Sequence, residues 1–340
     1  MKISAYADLD DIHVIGIPRA LLQYRYGVLW QTFFEALGKT VVISDETDKA
    51  IVDAGIARSV DETCLASKIF MGHVVNLIGR CDAVFVPCYA SCDMRRGFCT
   101  KFQSMTDLVR NTFRAELRVL PLLVENVSDI KATQAPFVEL GQRLGASRKE
   151  SKHAFKEALR AQKEADEQQA QRQEDVLKLM DEYRSIVGKD PARAEQAPLS
   201  ILVVAHPYIA FDQYMAGDII RSLTQLECMP LFACETDHAK SYKASLDFSS
   251  TMPWIISREL IGSILMLKDR IDGIILISAF PCGPDSMTDD AIMRCIQGVP
   301  ILNLMIDAQT GTAGIQTRLE SFIDILQFQR RGGYLSLIHI

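Results

Sequence analysis

Short apolar runs alternate along this chain with longer stretches whose apolar positions recur at helical spacing. The runs predict strands buried on both faces, and the stretches predict helices packed by one side. In the first part IHVIGI, TVVIS, DAVFVP and LRVLPLLV read as strands. A helix is expected from about Pro18 to Leu37, since proline suits a first helical turn and Gly38 suits the stop. SVDETCLASKIFMGHVVNLIG reads as a second helix, with Ser59 and Glu62 in capping-box spacing. A third is expected near Met105 to Phe113, after a long polar loop.

From about Ala146 to Ile186 the pattern changes. There is no proline or further glycine, and Phe155, Ala158, Leu159, Val176, Leu177, Met180 and Tyr183 form a narrow apolar stripe. One long helix or a helical pair is expected, a solvated arm followed by the linker GKDPARAEQAP. The second part repeats the alternation. LSILVVA, MPLFAC, DGIILISA and VPILNLMID read as strands, with helices near Tyr214–Leu226, Trp254–Lys268, Ser286–Ile296 and Ile315–Phe328. Such alternation gives an α/β fold with parallel sheets covered on both faces. The expected division is a first α/β domain over 1–145, the arm and linker over 146–197, a second α/β domain over 198–330, and a tail over 331–340. The ending YLSLIHI reads equally as a native tail or as a translated adapter.

The formal net charge of −6 gives no footprint for nucleic acid or an acidic membrane surface. No apolar run approaches the roughly 18 residues of a membrane span, and the start MKISAYADLDD has no signal-peptide core. A cytoplasmic protein is expected. Nine cysteines in such a chain argue against a disulfide framework. Each thiol is then a small core group, a reactive group or a metal ligand.

Position separates them. Parallel sheets collect ligands at the carboxyl ends of their strands. Cys282 ends the strand DGIILISAF; Cys88, Cys92 and Cys99 follow DAVFVP; Cys64 lies in the first turn of a helix, whose dipole favours a thiolate. Cys81, Cys228, Cys234 and Cys295 fall within apolar patterns and are expected in the core, while Cys88 reads either way. His206, Tyr208, Glu235, Asp237, His238 and Asp307 also stand at expected strand ends. The spacing of Cys88, Cys92 and Cys99 matches neither zinc nor ferredoxin patterns, so spacing alone reaches only a soft-metal site. No glycine-rich nucleotide cradle occurs. TGTAG, Thr310 to Gly314, reads as an ordinary turn or an anion-binding helix start.

IGIPRALLQYRYGVLWQTFFEALG, SVDETCLASKIFMGHV, HPYIAFD, CGPDS and TAGIQTRLESFID together resemble the acyl-CoA dehydratase activase-related proteins, relatives of the 2-hydroxyacyl-CoA dehydratase subunits. The resemblance implies two flavodoxin- or Rossmann-like parallel-sheet domains joined by the long helical segment. It implies a [4Fe–4S] cluster, or a double-cubane cluster, held by Cys64 in DETC, by Cys99 or Cys92, and by Cys282 in CGPDS. It also implies low-potential redox chemistry or radical dehydration of an acyl-CoA, an ATP-dependent activase of the ASKHA type as partner, and a dimer. His206, Tyr208 and Asp307 are the expected catalytic side chains. Asp307-Ala308-Gln309 departs from the family's Asp-Glu-His, and Cys99-Thr100-Lys101 from its Cys-Pro-Lys. The missing Glu-His pair leaves open a non-catalytic scaffold or maturation partner; an α/β protein with a structural zinc site is a further alternative.

Overall fold

The expected strands pair into two four-stranded parallel sheets of the same order. The computed structural model describes residues 9–93, 95–187, 197–309 and 312–331. One compact unit is Met1–Ala165 with Pro253–Ile255, and the other is Asp166–Met252 with Ile256–Ile340.

In the first unit β1 (Val14–Ile17), β2 (Thr40–Ile43), β3 (Ala83–Ser91) and β4 (Val119–Asn126) lie in the order β2-β1-β3-β4. Its helices are α1 (Gln23–Ala36), α2 (Lys49–Ala57), α3 (Leu65–Leu77), α4 (Thr100–Phe113) and α5 (Ile130–Arg143). The arm is one helix, α6 (Arg148–Val187), and the division between units falls within it. In the second unit β5 (Leu199–Val204), β6 (Cys228–Phe232), β7 (Gly273–Ala279) and β8 (Ile301–Ile306) lie in the order β6-β5-β7-β8. Its helices are α7 (Pro207–Ala210), α8 (Gly217–Gln225), α9 (His238–Ala244), α10 (Ile255–Leu267), α11 (Gly283–Cys295) and α12 (Thr312–Arg330). All strand pairs are parallel. Every residue of the central strands β5 and β7 is buried, which is why they read as unbroken apolar runs.

The two units repeat one plan in detail. Asp82 precedes β3 and accepts the Val14 N–H at 2.8 Å; Asp272 precedes β7 and accepts the Ser200 N–H at 2.7 Å. Ile15 pairs with Ala83 and Ile201 with Gly273, so Val14 and Ser200 hold the same place. Val84 pairs with Val119 and Ile274 with Ile301. Counted from these pairs, Leu123 and Met305 are equivalent, and both are exposed on edge strands. Helices α3 and α10 each have 13 residues, with glycine at the eighth, Gly72 and Gly262. Each glycine lies against the backbone of the short helix before it, α2 or α9.

Several local expectations change. The segment before β3 makes two helices: α2 is capped by Asp48, whose side chain accepts the Ile51 N–H, and α3 begins only at Leu65. Ser59 and Glu62 therefore lie in the connecting turn and form no capping box, and Cys64 is the cap of α3 rather than a residue of its first turn. Helix α1 starts at Gln23, because the chain turns at Leu21, whose φ is 52°. Strand β3 runs on to Ser91, which puts Cys88 inside it. Cys295 is exposed at the end of α11, and Cys81 is half-buried. Most of the expected linker (188–196), Thr310 and Gly311 of the TGTAG turn, and nearly all of the expected tail (332–340) lie outside the described residues.

In the second unit α6 closes the open edge of β6. The buried Gln173 side chain donates to the Phe232 carbonyl at 2.9 Å and accepts the Phe232 N–H at 2.6 Å, as a neighbouring strand would. Gln173→Ala leaves both groups unpaired, and about 2 kcal/mol of stability is expected to be lost. Urea denaturation of the variant checks this, with a shifted midpoint and an unchanged slope.

Candidate functional site

The carboxyl edge of each sheet carries the thiols that the sequence singles out. In the first unit α3 leads back into β3, so its N-terminus lies on the carboxyl side of the sheet. Cys64 caps it with extended backbone, is half-buried, and has its Sγ 3.3 Å from Ser67 Oγ. After β3 the chain forms a tight loop closed by the antiparallel pair Ser91 and Gly97. Gly97 also pairs with Trp254, and a Cβ there would meet the Ala90 carbonyl at 2.4 Å. This loop delivers Cys99 to the N-cap of α4, half-buried. Cys92 lies at the loop's start and is buried; its N–H donates to the Arg96 carbonyl at 2.9 Å. Cys88 is buried within β3, its Sγ 3.1 Å from Thr106 Oγ1.

In the second unit Cys282 is the N-cap of α11 and is half-buried. Of the nine cysteines, Cys64, Cys99 and Cys282 alone cap helices. Internal equivalence relates Cys282 to both rivals of the first unit. Counted along the strands from the pairs Cys88–Leu123 and Ser278–Met305, Cys282 matches Cys92. Counted from the helix starts, it matches Cys99. Burial pushes the Cys81 thiol up and the Cys228 thiol up to about 11, which disfavours a thiolate at either. Among the described residues, no group of three or more His, Cys, Asp or Glu side chains is arranged to hold a metal ion.

Beside Cys282 lies a buried polar cluster. His206, at the end of β5, caps α7 and places Nε2 2.8 Å from Asp285 Oδ1. Its ring stacks on Tyr208 with centroids 4.9 Å apart. Burial acts to raise the Asp285 carboxyl, but the pull of His206 and hydrogen bonds from His206 and Cys282 outweigh it and hold the group below its ordinary value. Asp289, one helical turn further, is pushed up to about 7 by burial and then by the charge of Asp285, against smaller opposing effects of Ser278 and His206. His206 Nδ1 and Asp285 Oδ2 are buried without hydrogen-bond partners. Asp307 follows β8 and accepts the Ala308 N–H at 2.6 Å. After β6, burial raises the Glu235 carboxyl, which accepts from Gln169 at 3.0 Å.

Thus His206 and Tyr208 meet, whereas Asp307 follows β8, separated from β5 by β7 in the sheet. Asp285 and Asp289 escaped the sequence reading, although both lie in or next to CGPDS. The available signal was their spacing from Cys282, three and seven residues on, along one helix face.

No helix among the described residues is long and apolar enough to cross a membrane. Among curated proteins, none matches the chain in sequence. The CoA enzyme activase uncharacterised domain (DUF2229) matches residues 14–234. That span holds Cys64, Cys92, Cys99, His206 and Tyr208 and stops short of Cys282. With about two-thirds of its length matched, the chain belongs to this CoA enzyme activase domain family.

Proposed function

We propose that the chain is an iron–sulfur protein of the 2-hydroxyacyl-CoA dehydratase-like superfamily, acting in low-potential redox or radical dehydration with an ATP-dependent activase of the ASKHA type. One observation carries the reading: Cys64, Cys99 and Cys282 share the same local setting, a half-buried thiol capping a helix N-terminus. A helix N-terminus stabilises nearby negative charge, which an iron-bound thiolate carries. The donor set fits a cluster in kind, and none of the nine cysteines is in a disulfide. Three thiol ligands on a [4Fe–4S] or double-cubane cluster leave iron open to act as a Lewis acid or pass an electron. The acidic and imidazole groups of His206 and Asp307, with the Tyr208 hydroxyl, are the side chains to hold or move a proton beside an acyl-CoA. The reading takes the protein as a cytoplasmic dimer.

Anaerobic purification and reconstitution, followed by iron and sulfide assay, test it. About four irons and four sulfides per chain are expected for one cubane. Cys64→Ser, Cys99→Ser and Cys282→Ser should each lose iron, and Cys92→Ser should keep it. Retention by Cys99→Ser with loss by Cys92→Ser would move the ligand to Cys92. A colourless, iron-free protein after reconstitution overturns the reading, and zinc bound without sulfide would replace it with a structural zinc site.

A second reading rests on Ala308 and Gln309, which stand where the resembled family has Glu-His. A scaffold or maturation partner would hold the cluster yet show no reduction or dehydration with an activase present.

A further inference from the structure

The repeated plan makes one half a control for the other. Arg19 stands two residues beyond β1, at the carboxyl edge of the first sheet. β1 lies between β2 and β3, where the strand order reverses, and open α/β sheets collect ligands outside such a point. Counted along β1 and β5, the second unit has Ala205 at this place, 1% exposed. Counted from the capping residues Asp48 and Asp237, Ser44 matches Ala233. Counted from Gly72 and Gly262, His73 matches Ser263. The second unit joins these elements simply, with the Ser263 hydroxyl donating to the Ala233 carbonyl at 2.7 Å. The fold is therefore complete with two alanines and a serine where the first unit carries an arginine, a serine and a histidine.

The three residues of the first unit form one connected support. The Arg19 backbone N–H donates to Ser44 Oγ at 2.8 Å, and Arg19 Nε donates to the Ser44 carbonyl at 3.2 Å. Ser44 Oγ lies 2.9 Å from His73 Nδ1, and His73 Nε2 lies 3.0 Å from Thr47 Oγ1. Ser44 and His73 are fully buried, and Thr47 nearly so. Burial lowers His73 to about 4, so the support adds no second cation at neutral pH. Arg19 itself is half-buried. Its main chain and one edge of its guanidinium are fixed, while among the described residues neither Nη group makes a hydrogen bond or ion pair. Asp45 and Asp48, which follow β2, are engaged elsewhere, the first by Arg80 and Asn76 and the second by the Ile51 N–H.

We propose that Arg19, held in place by Ser44, binds an oxyanion of a small-molecule ligand, a carboxylate or phosphoryl group gripped by both Nη groups. A guanidinium meets two such oxygens as a fork, which a lysine cannot do. Ser44 is the positioning residue, with His73 and Thr47 behind it. The site belongs to the metal-free chain and does not depend on the iron–sulfur reading.

The test reads Arg19 directly. The metal-free full chain is treated with phenylglyoxal, which modifies guanidinium groups, and each arginine-containing peptide is followed by mass spectrometry. Inorganic phosphate and acetate are the probes, each compared with chloride at equal ionic strength. At least one probe should slow Arg19 about threefold, as an anion present at roughly twice its dissociation constant does. Arg58 and Arg118, already paired with Glu116 and Asp11, should keep their rates. Slowing by phosphate alone assigns a phosphoryl group, slowing by acetate alone assigns a carboxylate, and slowing by both supports the shared fork. Ser44→Ala should fold, since alanine stands at the equivalent place in the second unit, and should lose most of the protection while Arg58 and Arg118 are unaffected. The protecting anion should also raise the melting temperature. That rise should vanish in Arg19→Ala, and Arg19→Lys, which keeps the charge without the fork, should recover only part of it. Equal Arg19 rates in chloride, phosphate and acetate overturn the site. So does slowing shared by all three arginines, which would mark salt screening rather than binding. Undiminished protection in Ser44→Ala overturns the positioning role.

Discussion

Gly72→Ala and Gly262→Ala are each expected to destabilise their unit by about 3 kcal/mol or more, at or beyond the upper range for overpacking. A Cβ on Gly72 would lie 1.9 Å from the Ile51 carbonyl oxygen, and one on Gly262 would lie 1.7 Å from that of Ser241. Both obstacles are helix backbone, which cannot rotate away as a side-chain tip can. The partner of Gly72 is equally constrained, since a Cβ on Gly55 would meet the Lys68 carbonyl at 1.9 Å. Relief requires α2 and α3 to separate, and α3 carries Cys64 at its start. Gly72→Ala should therefore lower both the urea midpoint and iron loading. Gly283→Ala, where a Cβ meets nothing within 4 Å, is the control and should stay within about 0.5 kcal/mol. Equal midpoints for Gly72→Ala and the control would refute the close-approach account.

Asp289→Asn is expected to remove most of a fall in stability between pH 4 and pH 8. The Asp289 carboxyl is raised from 3.8 to about 7, by burial first and the charge of Asp285 second. A group raised on folding contributes fully below its unfolded value, and the contribution is lost as pH rises through the folded value. The shift corresponds to about 4 kcal/mol at pH 8 by linkage, as an order of magnitude. Of the groups around it, Asp285 on the same helix raises it, while Ser278 of β7 and His206 after β5 lower it. At the acid end His73 acts in the opposite sense. It sits between Ser44 Oγ at 2.9 Å and Thr47 Oγ1 at 3.0 Å, and burial lowers it to about 4. Its contribution is present above 6.5 and disappears as pH falls through about 4. Urea midpoints at pH 5 and pH 8 check the pair: asparagine at 289 should raise the second clearly more than the first and so narrow the difference between them. An unaltered difference between the two midpoints would mean that Asp289 is not held neutral by its surroundings.

The strands were legible because parallel strands covered on both faces are apolar without interruption, as GIILISA shows. Helix α2 was not. Its inward face is only Ile51, Val52 and Gly55, too short for periodicity to separate from α3, and its one clear signal was Asp48 before it. The rule that strand ends collect ligands reached Cys88, Cys92, Cys99 and Cys282, and a helix start added Cys64; the narrower set of Cys64, Cys99 or Cys92, and Cys282 came from the family resemblance, and the capping role shared by Cys64, Cys99 and Cys282 was not visible in the sequence. The carboxylates beside Cys282 were not legible, because Asp285 takes its meaning from His206, 79 residues away in the chain. A pair of that separation is created by the register of β5 with β7, and no local pattern encodes it.

Two halves of the same plan on one polypeptide carry a hazard during biosynthesis. A nascent strand from the later copy has the right pleat, spacing and greasy character to insert beside a strand of the earlier one, a familiar route to domain-swapped traps. The 40 residues of α6 come between the copies. At ribosomal speed they add roughly 2 to 8 s before the second copy begins to emerge, ample for the first sheet to close. Shortening that spacer should cost yield of correctly folded chain before it costs anything at the thiols.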